Sequence, residues 1–135
     1  MTKRSQRQIK ELKVAKLAFE QVNDVMQPKN KKENQKNYRS YARKLPAMIQ
    51  MNGLASTMAF YHAKSNKNAY KKMMEHIQAF FIEEGFLTNE AKGHDQVLET
   101  ILNCESSKQY REITTSLLHY ASYLSRFAEG LYEDE

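Results

Sequence analysis

Residues 38–64, YRSYARKLPAMIQMNGLASTMAFYHAK, are the stretch whose spacing decides the fold. Tyr38, Tyr41, Ala42, Leu45, Met48 and Ile49 fall at i, i+3, i+4, i+7, i+10 and i+11, one apolar stripe on a helix. Lys36, Arg39 and Arg43 lie on a different flank of the same helix. The spacing therefore predicts a helix over 36–52 that offers one face to a core and a row of cations to a partner. Pro46 lacks the N–H that would reach the Ala42 carbonyl, so a kink or restart is expected there. Asn52-Gly53 reads as a C-cap or hinge, because glycine takes positive φ without a Cβ clash. Leu54, Thr57, Met58 and Tyr61 then resume a helical stripe over 54–64.

The rest of the chain agrees in kind. Four Gly and two Pro in 135 residues are few for a protein built on turns, and no strand pattern is present. The expectation is one all-α domain over 1–135, a compact bundle of about six helices with long first and last helices. Ile9, Leu12, Ala15, Phe19, Val22 and Met26 form one stripe of a first helix over 2–26, with Lys3, Arg7 and Lys10 on its opposite side. Residues 27–35, QPKNKKENQ, read as a polar loop. Asn68 is the expected N-cap of a helix carrying Tyr70, Met73, Met74, Ile77, Phe80 and Phe81 and ending at Gly85-Phe86. Val97, Leu98, Ile101 and Leu102 mark a short helix after a loop over 88–94. Ser106 and Gln109 form a capping-box signature. The seam Tyr110, Ile113, Leu117, Tyr120, Ala121, Leu124, Phe127, Ala128 and Leu131 follows it.

Charge divides the chain more sharply than its net value of +5 implies. Residues 1–72 carry 17 Lys and Arg against four acids, a balance of +13; residues 73–135 carry four against twelve, a balance of −8. A basic half of this kind points to a polyanion, and the acidic half to an oppositely charged neighbour or a second copy. A single cysteine, Cys104, excludes an intrachain disulfide and fits a reducing compartment; its place on the apolar side of the short helix points to an inert buried thiol. No apolar run nears the roughly 18 residues of a membrane span, and residues 1–13 do not resemble a signal peptide, so a cytoplasmic protein is expected.

No catalytic set emerges. His62, His76, His94 and His119 are scattered, without the Glu-x-x-His pairs of a di-metal bundle. Glu90 and His94 are four apart but fall across Gly93 in a loop. There is no phosphate-binding glycine loop, Cys-x-x-Cys or Gly-x-Ser-x-Gly. Neither a metal nor a cofactor is expected, and no enzymatic activity.

The order of residues carries a further signal. Tyr38, Ser40, Ala42, Leu45, Pro46, Ile49, Asn52, Gly53, Leu54, Thr57, Ala59 and Phe60 fit the pattern YxSxAxxLPxxIxxNGLxxTxAF. That pattern resembles the small-subunit family of type III-B CRISPR effectors, the Cmr complex. Tyr110, Arg111, Thr114, Leu117, Leu118, Leu124, Arg126, Phe127, Ala128 and Glu129 are similar to the family's YRxxTxxLL…WLKRFAEA ending. Tyr123 stands where that ending has Trp, and Ser125 where it has Lys, which removes a cation at position 125. The likeness spans nearly the whole chain and is weakest at 27–35 and 86–105.

The resemblance implies a non-catalytic subunit, stacked in copies head to tail along the inner face of the complex, beside guide RNA and target RNA. Backbone and large subunits would be its other partners, the backbone subunits performing RNA cleavage; no membrane is involved. For RNA contact the expected residues are Lys36, Arg39, Arg43 and Lys44 first, Arg111 and Arg126 second, and Lys3, Arg4, Arg7 and Lys10 third. Cations on a rigid helix neutralise phosphates without reading bases, and most of the eight Tyr fall on apolar stripes rather than in stacking positions. Against this stands the bland reading that each cation is solvated surface. The rival function is a helical adaptor binding only protein; a DNA-binding helix-turn-helix around 97–125 is disfavoured because it lies in the acidic half.

Overall fold

In a computed structural model that describes residues 5–90 and 93–133, six helices follow one another: α1 (Gln6–Val25), α2 (Lys32–Asn52), α3 (Leu54–Ala63), α4 (Asn68–Glu83), α5 (Asp95–Leu102) and α6 (Ser107–Leu131). No strand occurs among the described residues, so the chain is an all-α bundle as its periodicity predicts. The last helix is its axis. α6 packs between α1 and α2, with Ile113, Leu117, Tyr120, Ala121, Leu124 and Ala128 buried, and α4 closes the core against α2. α2 runs antiparallel to α6: Arg39 near its start meets Glu129, while Ala55, just past its end, meets Tyr110.

The stretch that decides the fold behaves as its stripe demands. Tyr38, Ala42, Leu45 and Ile49 on α2 and Leu54, Thr57, Met58 and Tyr61 on α3 are buried. Pro46, however, does not divide α2, which runs unbroken from Lys32 to Asn52. The Tyr61 hydroxyl donates to the Tyr41 carbonyl at 2.8 Å, which ties α3 to α2 one residue before the Ala42 carbonyl that the proline leaves without a helical donor. The break falls at Gly53 instead, at φ 87° and ψ 161°, which ends α2 and opens α3. A side chain there would be strained whatever the space around it. No side chain of its own caps α3; the Tyr110 hydroxyl on α6 accepts the Ala55 N–H at 3.1 Å.

Three other expectations shift. The loop between the first two helices is shorter than 27–35, because α2 begins at Lys32. Buried Gln35 sends its amide to the Gln27 carbonyl at 2.9 Å, and the Asn30 amide takes the Asp24 and Val25 carbonyls at 2.8 and 3.0 Å. Side chains that satisfy the end of α1 this closely leave only a tight turn before the next helix. On α1 the buried face is Val14, Ala18, Gln21, Val22 and Val25, whereas Ile9, Leu12 and Phe19 are 38%, 46% and 42% exposed. The small and β-branched set lets α6 approach closely, and Phe19 is left at the rim, edge-on to Phe127 at 5.4 Å. Asn68 is the first helical residue of α4 rather than its cap, a role Lys67 takes without a side-chain bond.

Helix ends otherwise follow local chemistry. The α4 helix closes with a Schellman turn: the Gly85 N–H (φ 81°) bonds the Ile82 carbonyl and the Phe86 N–H bonds the Phe81 carbonyl, at 3.1 and 2.8 Å. Phe86 folds back on the fully buried Phe81 ring at 5.4 Å. Ser106 caps α6 as expected, but the Gln109 side chain returns to the Glu105 N–H, one residue short of the reciprocal box. Ser5 and Gln8 complete a full box on α1.

One polar chain crosses the core. Tyr38 on α2 and His76 on α4 share a 2.6 Å hydrogen bond to Nδ1, the His76 carbonyl accepts the Gln21 amide of α1 at 3.0 Å, and the Tyr120 hydroxyl of α6 donates to the Gln21 carbonyl oxygen. Phe80 stacks on Tyr120 at 4.2 Å alongside it. Burial holds the Tyr38 and Tyr120 hydroxyls above the usual tyrosine value and lowers His76 to about 4, so all three are neutral at pH 7. Four helices are thereby pinned in one mutual register.

Candidate nucleic-acid interface

The cations on α2 form a longer row than the sequence predicted. Because the helix starts at Lys32, that residue joins Lys36, Arg39 and Arg43 at i, i+4, i+7 and i+11 on one flank. Lys36 and Lys44 are exposed and belong to no ion pair found among the described residues. The two arginines differ. Arg39 Nη2 lies 3.1 Å from Glu129 Oε2 and Arg43 Nε lies 2.8 Å from Glu129 Oε1, so one carboxylate on α6 holds both. Arg43 remains 56% exposed, whereas Arg39 is 28% exposed and packs over the Tyr132 ring at 4.9 Å. Lys32 sits over the same ring at 5.9 Å and donates to the Glu133 carbonyl at 2.9 Å.

The second and third sets of expected residues are partly brought together. Arg111 and Lys108 on α6 and Lys10 on α1 line a surface groove of about 520 Å³, with Glu84 and Glu112 on its walls. Lys10 continues into an adjoining groove of about 420 Å³ shared with Arg7, Glu11 and His119. These cations thus stand among carboxylates rather than in an unbroken basic track. Arg126 lies fifteen residues from Arg111, about 22 Å along the helix by the rise per residue, and belongs to neither groove. Lys3 and Arg4 fall outside the described residues.

Sequence reasoning missed Glu129 and Tyr132, and it left Lys32, a cation able to touch phosphate, in a loop rather than on α2. Glu129 was visible only as part of the family-like ending, and no local pattern links it to arginines 90 and 86 residues earlier in the chain. The histidines that look scattered are in part paired: His62 Nδ1 and His94 Nδ1 are 3.3 Å apart across α3 and the start of α5, so His94 meets His62 and not Glu90. Burial first, then His62, lowers the His94 pKa. His76 is consumed by the core. Cys104 is half-buried past the end of α5, not on it, with its thiol 3.7 Å from the Thr100 carbonyl. Among the described residues no three His, Cys, Asp or Glu cluster as a metal site, and no helix is long and apolar enough to cross a membrane.

Comparison with known proteins places this geometry in context. The family described as CRISPR-associated protein (Cas_Cmr5) matches residues 10–131. The X-ray crystal structure of a CRISPR-associated Cmr5 family protein from Thermus thermophilus superimposes with a TM-score of 0.73 at 24% identity, covering 89% of this chain and 94% of that one. At that identity the superposition speaks for the fold.

Proposed function

This chain belongs to the CRISPR-associated Cas_Cmr5 family and is a small subunit of the type III-B Cmr complex; from that premise we propose that it braces guide and target RNA by their phosphates and performs no chemistry of its own. The observation that carries the reading is α2, where exposed Lys36 and Lys44, in no ion pair among the described residues, stand beside Arg39 and Arg43 on one rigid helix. Such a row releases counterions from a polynucleotide whatever its sequence, which suits a complex in which base pairing reads the sequence. Arg111 and Arg126, then Arg7 and Lys10, are the subordinate contacts, with Lys3 and Arg4 proposed on sequence alone.

Charge reversal tests it. Lys36→Glu with Lys44→Glu is expected to weaken binding of a labelled oligoribonucleotide and to flatten its salt dependence by about 0.7 in the log–log slope per lost contact. Reversal of exposed Lys67 and Lys71 serves as the charge-matched control. Equal effects of the two pairs would reduce the flank to ordinary surface.

The subunit works in the cytoplasm beside the backbone and large subunits, and its copies stack head to tail. The outer face of α1, with Ile9, Leu12 and Phe19 exposed beside Lys13 and Lys16, complements an apolar and acidic edge such as that of α5, where Leu102 is 65% exposed near Asp95 and Glu99. Leu12→Glu with Phe19→Glu is expected to lower the copy number in the purified complex while leaving the isolated fold intact. An unchanged copy number would take α1 out of the assembly contact. A second reading, an adaptor that touches only protein, is favoured by one observation: Glu129 already neutralises part of the basic flank. Failure of the oligoribonucleotide to discriminate the lysine variants would select it.

A further inference from the structure

We infer that Arg39 and Arg43 form a phosphate subsite which Glu129 and Tyr132 occupy until RNA displaces them. The inference rests on the RNA-bracing reading and adds to it a built-in competitor. The carboxylate of Glu129 bridges the two guanidiniums through separate oxygens, Oε2 to Arg39 Nη2 at 3.1 Å and Oε1 to Arg43 Nε at 2.8 Å. Two oxygens of one singly charged group, each taken by a different arginine, are what the non-bridging oxygens of a phosphodiester would present. The Tyr132 ring lies 4.9 Å from the Arg39 guanidinium carbon and 5.9 Å from Lys32 Nζ, supplying an aromatic plane beside the anion. An aromatic plane and an anion are the two recognisable parts of a nucleotide.

The fit of the carboxylate is incomplete. Arg39 Nε is buried and has no hydrogen-bond partner among the described residues, so within them one donor of that guanidinium is unmet while Glu129 holds it. A planar carboxylate offers its acceptors in one plane, whereas a tetrahedral phosphate offers them in several directions and can take a further donor. Glu129 is 41% exposed, so its ion pairs are screened and it can leave without opening the core. The exchange replaces one negative charge by another. In the wild type the arginines therefore add selectivity for a well-placed phosphate rather than bulk attraction.

The experiment is equilibrium binding of a labelled oligoribonucleotide across a salt series. Glu129→Gln keeps the shape and removes the charge; it is expected to tighten binding about threefold to tenfold at low salt and to steepen the slope by about 0.7, the worth of one freed cation. Tyr132→Ala is expected to tighten binding less, since it removes the ring and leaves the carboxylate. If Glu129→Gln changes neither affinity nor slope while Lys36→Glu with Lys44→Glu weakens binding, the subsite is wrong and RNA bracing stands. If neither variant has an effect, the bracing reading itself falls. A second measurement needs no variant: addition of the oligoribonucleotide to the wild type should shift the Arg43 Nε–H resonance as phosphate replaces carboxylate, and an unmoved resonance at saturation overturns the subsite.

Discussion

Replacing Gln21 by alanine is expected to cost about 3–5 kcal/mol of unfolding free energy, a large share of what a domain of this size possesses. Gln21 is only 8% exposed, and both ends of its amide are committed: the nitrogen to the His76 carbonyl and the oxygen to the Tyr120 hydroxyl. Truncation strands the buried Tyr120 hydroxyl, at about 1–3 kcal/mol, takes from the His76 carbonyl a second donor beyond its helical one, and leaves a void between α1, α4 and α6. Urea unfolding followed by circular dichroism measures the loss. Adding Tyr120→Phe should recover part of it, because one stranded hydroxyl then disappears; a strictly additive pair would show that the chain of bonds is not a unit.

Acidification is expected to remove about 3 kcal/mol of stability between roughly pH 6.5 and pH 4 through His76 alone. Burial lowers its pKa to about 4, and Lys72 pushes in the same direction while Asp24 opposes both. In the unfolded chain the ring returns to about 6.5. Across that window the unfolded state binds a proton that the native state refuses, so stability falls as the pH falls. Above the window the contribution is whole, and below about pH 4 this group removes nothing more. Urea midpoints at pH 7 and pH 4.5 should converge in a His76→Leu variant, compared with the wild type. Parallel losses in both proteins would assign the acid sensitivity to other groups.

The same network shows why the sequence was readable in some places and not others. The stripe of Tyr38, Leu45 and Ile49, its continuation through Leu54, Met58 and Tyr61, and Ile113, Leu117, Tyr120, Ala121, Leu124 and Ala128 of the α6 seam are buried as their spacing requires, with Tyr110, Phe127 and Leu131 half-buried at the seam's edge. They follow from a period of 3.6 that any run of residues carries within itself. The Gly85 cap and the Ser106 cap are equally local. On α1 the rule misleads, because two apolar sets lie on different sides of one helix. The set with the larger residues, Ile9, Leu12 and Phe19, is the one left exposed. Which side faces inward depended on how closely α6 could approach Ala18 and on whether Gln21 found partners across the core.

By itself, the sequence determined the helices, most of their ends, the family pattern and the division into a basic and an acidic half. Only the tertiary structure decided which cations are free. Arg39 and Arg43 meet Glu129 because antiparallel packing of α2 on α6 brings together residues 90 and 86 positions apart, and the charge a partner feels is set by such neighbours. Periodicity is a property of one helix, whereas the field outside it is a sum over every helix that packs nearby.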